Sequence, residues 1–321
     1  MSTIPIVMNY EALTTAVREE VLGTYQAESL TGLFPSVPIP KGIAAEKWAQ
    51  KYILETKRAA VHARGFNPNM ITMDFKGFEV TPCTIDQAAL MDEISQAQFV
   101  ETGLFDKFIP EMGHNMAYTS NTWIMRHIGG NGEAAFLTEY HYLLADGSGN
   151  GTAARPNWLH DAASAGVWGT IANMFRDIAT MKGVFVQKGG NLASAIVMLP
   201  KCSAPEIELV RSEYQNKSVA DYLTMQGLRF MYIEDQFFYT QAGALPTQAL
   251  FDMILVDVSE FLIGYQREER TRVIPPHDDV RDTKIEAEVW FAFLCVPFRK
   301  NEAGTIKTYK SASRIRAIAQ S

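Results

Sequence analysis

Residues 105–130 read FDKFIPEMGHNMAYTSNTWIMRHIGG. Phe105, Phe108, Ile109, Met112, Met116, Trp123, Ile124, His127 and Ile128 fall near one stripe of a helix. The spacing predicts a helix of about six to seven turns over 105–128. Pro110 is expected to kink or restart it. Gly129-Gly130 ends it with a pair that accepts left-handed backbone.

Upstream, Thr84 to Val100 also reads as a helix. Thr84-x-x-Gln87 has the capping-box pattern, and Ile85, Ala88, Ala89, Met91, Ile94 and Phe99 follow, with Gly103 as the breaker. Before it, Met70 to Val80 (MITMDFKGFEV) alternates apolar and polar residues, as a half-buried strand does. Trp48, Tyr52, Ile53 and Leu54 form an earlier apolar run, and the stretch Lys57 to Asn69 between them is polar. This is strand, long turn, strand. A lone two-stranded ribbon is marginal in water, so Phe66, Phe75 and Phe78 on it need a neighbour. Residues 9–28 predict a first helix, with Asn9 as cap, Leu13, Val17, Val21 and Leu22 at helical spacing, and Gly32 and Pro35 as stops. The strap FPSVPIPKG, residues 34–42, carries Pro35, Pro38 and Pro40 and must be extended, outside any central strand. Helix and strap together read as an arm lying on something else.

Downstream, residues 129–160 are loop-rich and include DGSGNGT at 146–152. A helix is expected from Ala162 to Lys182, with Val167, Ile171, Met174, Phe175 and Ile178 on its stripe and Gly183 ending it. Ala195 to Leu199 (AIVML) is a continuous apolar strand, read as buried on both faces. Ser203 caps a helix running to about Tyr214, with Pro205 in its first turn. Strands are expected at Arg229–Ile233, Asp252–Val258, Ile285–Val296 and, last, Thr305–Tyr309, with Ile274-Pro275-Pro276 as a rigid connector. The class is α+β, mixed and without regular βαβ units. A chain of 321 residues makes one large domain or two modest ones.

Charge and composition exclude several roles. Lys plus Arg total 29 against 36 acidic residues, a formal net charge of −7. A protein that coats nucleic acid needs a basic surface. With 47% hydrophobic residues the chain is not disordered. No apolar run is long enough to cross a membrane, and the start lacks a secretory signal pattern. The cysteines Cys83, Cys202 and Cys295 stand far apart, which supports neither a disulfide framework nor a thiolate zinc site.

Catalytic patterns fail in turn. Gly147-x-Gly149-x-Gly151 precedes no helix and no Lys-Ser/Thr, so it is neither a dinucleotide nor a Walker loop. The six histidines form no HExxH. A metal site could be assembled from Glu139, His141, His160 and His277 only if distant segments meet. There is no Gly-x-Ser-x-Gly elbow. Basic clusters, Lys57-Arg58 and Arg314-x-Arg316, lack interleaved aromatics. No catalytic, cofactor or metal residue is assigned, and the chain is not expected to be an enzyme.

The order of elements resembles the tailed-phage major capsid protein of the Hong Kong-type fold, a fold shared with encapsulins, and in several stretches its encapsulin-like branch. Val37-Pro38-Ile39-Pro40-Lys41-Gly42 resembles the entry of the arm into the ribbon. Phe78-Glu79-Val80 with Ile85 to Gln98 is similar to the ribbon's return. Leu104-Phe105-Asp106 resembles the start of the spine helix, and Gly129-Gly130-Asn131-Gly132 its terminal turn. Ala195 to Pro200 resembles the first core strand of the axial domain, and Ile274-Pro275-Pro276 with Ile285 to Val296 the return strand. Pro110 and the insertion-like stretch 133–160 depart from the pattern.

The resemblance implies an N-terminal arm (1–42), an extended ribbon loop (43–80), a peripheral domain (81–164 and 263–300) with its spine helix at about 105–128, and an axial domain (165–262 and 301–321). It implies a capsid subunit that self-assembles into pentamers and hexamers, enclosing double-stranded DNA without sequence-specific binding. An encapsulin-type compartment is the alternative, and a soluble metal-dependent enzyme a second one. Copies of the chain are the main partners, with scaffolding, portal and cement proteins as further ones, no membrane and no cofactor. No scaffolding segment is expected ahead of the arm. The implied location is the virion, assembled in the host cytoplasm. Subunit-interface candidates are Trp48, Tyr52, Phe66, Phe75 and Phe78. Assembly would supply the burial that ribbon and arm lack.

Overall fold

A computed structural model describes residues 10–38, 50–54, 73–77, 83–91, 105–129, 159–163, 171–187, 190–211, 216–238, 245–248, 250–265, 270–274, 283–295, 298–300, 306–308 and 312–319. The chain begins with α1 (Tyr10–Glu28), β1 (Ser36–Pro38), β2 (Gln50–Leu54), β3 (Met73–Gly77) and β4 (Cys83–Met91). Then come α2 (Phe105–Gly129), β5 (Leu159–Ala163), α3 (Ile171–Gln187), β6 (Ala195–Pro200), α4 (Ala204–Glu208) and α5 (Val219–Met225). The rest is strand: β7 (Arg229–Ile233), β8 (Leu250–Asp257), β9 (Phe261–Tyr265), β10 (Arg270–Ile274), β11 (Thr283–Cys295), β12 (Phe298–Lys300), β13 (Ile306–Thr308) and β14 (Ala312–Ala319). The chain divides into two compact units. One comprises Met1–Gly42, Pro82–Trp123 and Ile263–Ala292, and the other Ile43–Thr81, Ile124–Leu262 and Phe293–Ser321.

The first unit is organised by β11. Its alternation puts Thr283, Ile285, Ala287 and Val289 on a buried face and Lys284, Glu286 and Glu288 on the other. β10 and β4 pair antiparallel with it, and the sheet order β1-β9-β11-β10 places the proline strap at an edge. That position suits β1, because proline has no N–H to give to an inner ladder. β1 runs parallel to β9, and the Ile263 N–H donates to the Pro35 carbonyl at 2.9 Å.

The helix expected over 84–100 is corrected by this sheet. Residues 83–91 form strand β4, paired with β11 over nine residues; residues 92–100 lie outside the described ones. Ile85 is buried while Asp86, Ala88 and Leu90 are exposed, which is a period of two. Local helix propensity in Ala88-Ala89-Leu90 yields to the ladder, as weak propensities do under tertiary pairing.

The arm's helix rests on its own chain. α1 buries Val17, Val21, Leu22 and Tyr25, and it packs on β10. It also meets α2 at Gly113, where an added Cβ would overlap the Val21 carbonyl and stand 2.9 Å from Thr24 Cβ. α2 runs unbroken through Pro110, with Ile109, Met112, Met116, Ile124 and Ile128 buried.

The second unit is built on the sheet β5-β14-β8-β6-β7. β6 is inner, parallel to β7 and antiparallel to β8. Phe251, Met253 and Leu255 of β8 join Val197 and Leu199 of β6 in one core with Met174, Ile178, Met181 and Phe185 of α3. α4 adds Ile207, and α5 adds Val219 and Leu223. The ribbon β2–β3 and the small hairpin β12–β13 belong to this unit, with β12 against β2.

Four further expectations shift here. Residues 159–163 are strand, and α3 starts at Ile171 and runs past Gly183 to Gln187. A helix tolerates one glycine at about 1 kcal/mol, and buried Phe185 carries the stripe onward. The expected Ser203 cap is not formed, as its hydroxyl donates to the Pro200 carbonyl at 2.7 Å, and the helix spans only Ala204–Glu208, with Leu209 and Val210 exposed beyond it. The Thr305–Tyr309 strand is β13 and is not last: β14 follows, between β5 and β8. β14 contains Arg314-x-Arg316, whose alternation with Ile315 and Ala317 is a strand pattern.

Candidate assembly surfaces

The ribbon forms as expected, with β2 and β3 antiparallel and Tyr52 the direct partner of Phe75. Trp48, Phe66 and Phe78 lie outside the described residues, so the structure brings together two of the five interface candidates. Its order also shows where the ribbon leads: β3 ends at Gly77, and β4 starts at Cys83 in the other unit's sheet.

The arm is fixed by polar contacts as well as by its stripe. Asn121 of α2, almost fully buried, meets the last turn of α1. Its Oδ1 accepts the Leu30 N–H at 2.7 Å, and its Nδ2 donates to the Glu28 carbonyl at 2.9 Å. Groups left open at a helix end are thus satisfied by a distant side chain. Ser29 Oγ accepts the Thr31 N–H and lies 3.4 Å from Ser120 Oγ. His114 Nδ1 is 2.5 Å from the Glu28 carboxylate on the exposed side. The apolar stripe of this helix is thus covered within its own chain.

The outer face of the first unit's sheet carries charge. Glu286 pairs with Arg272 and with Lys284, the latter at 2.5 Å. Its carboxyl is held below the usual carboxylate range, first by the hydrogen bond from Lys284 and then by that from Arg272. Such exposed pairs set the character of a surface more than its stability.

None of the tested chemistries is assembled among the described residues. No group of three histidine, cysteine or acidic side chains there could hold a metal ion. His160 sits on β5, while Glu139, His141, His277 and the glycine loop at 146–152 lie outside the described residues. Cys202 is a free, half-buried thiol. Burial first, then the Asp235 charge and hydrogen bond, push it up to about 12, so it stays protonated and a poor nucleophile at neutral pH. No described helix is long and apolar enough to cross a membrane.

Sequence reasoning missed α5 and the surface around it. α5 begins with a complete capping box. Ser218 Oγ accepts the Asp221 N–H at 3.1 Å, and the Asp221 carboxylate accepts the Ser218 N–H at 3.0 Å. The pattern Ser218-x-x-Asp221 was the available signal. Past the end of α5 the chain turns at Gly227, whose φ of +71° suits glycine, with the Leu228 N–H returning to the Leu223 carbonyl.

The fold has known counterparts. A chain from Microbacterium phage Oxtober96 aligns with a TM-score of 0.52 at 12% identity, covering 91% of each chain. One from Mycobacterium phage Bobi gives 0.52 at 11%, covering 93% of this chain and 90% of its own. The virus-like particle from Pyrococcus furiosus gives 0.50 at 8%, covering 94% of this chain and 98% of its own. No family model matches the sequence, and no curated protein does either. The fold is the α+β Hong Kong-type shell fold, as the order of elements implied.

Proposed function

We propose that this chain is a major capsid protein, whose copies close into pentamers and hexamers of an icosahedral shell around the double-stranded DNA of a tailed phage. The observation that carries this reading is the likeness of fold to chains of two phages over 91% and 93% of the molecule. The net charge of −7 supports it, because a wall that must release its contents should not grip phosphate. On this reading the protein is structural and has no catalytic task. It resides in the virion and is assembled in the host cytoplasm with scaffolding, portal and cement proteins.

On this reading the peripheral domain is taken as 81–164 and 263–300 and the axial domain as 165–262 and 301–321, except that β5 and β12 go with the axial part, since β5 pairs with β14 and β12 with β13. The ribbon reaches a neighbouring subunit through Trp48, Tyr52, Phe66, Phe75 and Phe78. The arm's helix, covered by its own chain, is not part of that reach. A second reading, an encapsulin-type compartment with a protein cargo, is favoured by the likeness to the Pyrococcus furiosus particle.

Electron microscopy of the purified chain, with its nuclease-protected nucleic acid measured, tests both. Hollow megadalton particles are expected, and DNA or a co-purifying protein inside tells capsid from compartment. A monomer at high concentration would end both readings. Deleting Arg58 to Met73 tests the ribbon separately: particles formed as well as before would remove its contact role.

A further inference from the structure

Core methionines of both units, Met112, Met116, Met174, Met181 and Met253 among them, are at most 2% exposed, whereas Met225 at the end of α5 is 59% exposed. Solvent is not the only neighbour of its sulfur: the Lys217 ammonium lies 2.8 Å away. Local structure brings the two together. Lys217 precedes the cap residue Ser218, and Met225 is the last residue of α5. Helical side chains lean toward the helix N-terminus, so Met225 leans toward the end at which Lys217 enters. The backbone is fixed on both sides of Lys217. Asn216 has a φ of 49° and its carbonyl accepts from Arg211 at 3.0 Å, while Ser218 forms the capping box and bridges to Arg211. Asp221 also lies within reach of the Lys217 charge. Its carboxylate is engaged by the Ser218 N–H at 3.0 Å and lies 4.0 Å from Arg211.

A thioether is a weak acceptor, so the contact adds little to stability. It changes what the sulfur can do, because a peroxide that reaches the exposed sulfur meets a proton donor beside it. A sulfur lone pair attacks one oxygen of hydrogen peroxide; the S–O bond forms and the O–O bond breaks. Sulfur loses two electrons and the peroxide gains them. The leaving oxygen takes a proton from the Lys217 ammonium and departs as water. The amine then recovers a proton from the hydroxyl on sulfur, which leaves the sulfoxide. The new oxygen is a better acceptor than the thioether sulfur, and the ammonium is in place to hold it. Oxidation of a core methionine disrupts packing; here the polar product stays in water at a helix end.

We propose that Met225 is a modification site for small peroxides, oxidised to the sulfoxide with the assistance of Lys217. The proposal does not rest on the shell reading. In the test, the full chain is treated with dilute hydrogen peroxide, and the added oxygen is located over time by mass spectrometry of its peptides. Met225 should react at least about tenfold faster than Met174 and Met253, which need local opening before peroxide reaches them. Lys217→Gln should slow Met225 about two- to fivefold, the range of an exposed charge contact. Lys217→Arg, which keeps a cation there, should restore most of the rate, with circular dichroism to check that both variants fold. A second readout needs no variant. With the ammonium on one side, the two lone pairs of the sulfur differ, so one sulfoxide epimer should predominate. One of two epimer-specific sulfoxide reductases should then remove most of the added oxygen. Met225 reacting no faster than the core methionines, a rate indifferent to Lys217→Gln, or equal epimers in the wild type would each overturn the proposal.

Discussion

Asn121 and Glu28, 93 positions apart in sequence, are joined by a hydrogen bond of 2.9 Å from the Asn121 amide to the Glu28 carbonyl. The other end of the same side chain takes the Leu30 N–H. One buried amide thus terminates α1 and pins it to α2. Asn121→Ala should cost about 2 kcal/mol, since it strands two backbone groups. The thermal midpoint should fall by several degrees. An unchanged midpoint would mean that water replaces the amide freely.

Gly113 sets two rules against each other. Helix propensity alone says that Gly113→Ala stabilises α2 by about 1 kcal/mol. Packing says the reverse, because the new methyl would enter the Val21 backbone and crowd Thr24. Backbone cannot move aside as a flexible side chain can, so destabilisation of about 1–3 kcal/mol is expected in denaturant melts. A gain in stability would show that α1 shifts readily on α2.

Thr271 and Gln87 are register partners of the same residue, Ala287, from opposite sides of β11. Thr271 Oγ1 and Gln87 Oε1 are both buried, and neither has a hydrogen-bond partner among the described residues. A buried hydroxyl without a partner carries a desolvation cost. Thr271→Val keeps the shape and removes that cost, so stability should hold or rise by up to about 1 kcal/mol. A clear loss in the melting temperature would show that the Thr271 hydroxyl has a partner, such as an ordered water, that valine cannot replace.

How far the sequence carries depends on where each signal lies. α1 and α2 were legible because a stripe such as Met112, Met116, Ile124 and Ile128 repeats at helical spacing inside one segment. β6 was legible as an unbroken apolar run. The order of elements led to the shell fold. β4 was not legible, because Ala88-Ala89-Leu90 favours a helix and only the distant β11 decides otherwise. β14 was hidden by its arginines, which look like a basic cluster until β8 and β5 flank it. The Asn121 clamp leaves no trace at all in the sequence, since its partners are backbone atoms 91 and 93 positions away. The early end of α4 at Glu208 was hidden too, because the Pro205 start says nothing of where the helix stops.

Acid should act on the first unit through Glu286. Its carboxyl titrates below the ordinary value near 4.5 because Lys284, and then Arg272, hold the charged form. A group depressed on folding lends stability above its unfolded value and loses it as pH falls through the folded value. Glu286→Gln should therefore melt below wild type at pH 7. The gap should start to narrow once pH drops beneath about 4.5 and close at lower pH. High salt should shrink the same gap at neutral pH, since the pairs face solvent. A gap constant from pH 7 to pH 2 would assign the effect to lost packing and leave the ion pairs with Arg272 and Lys284 without a role.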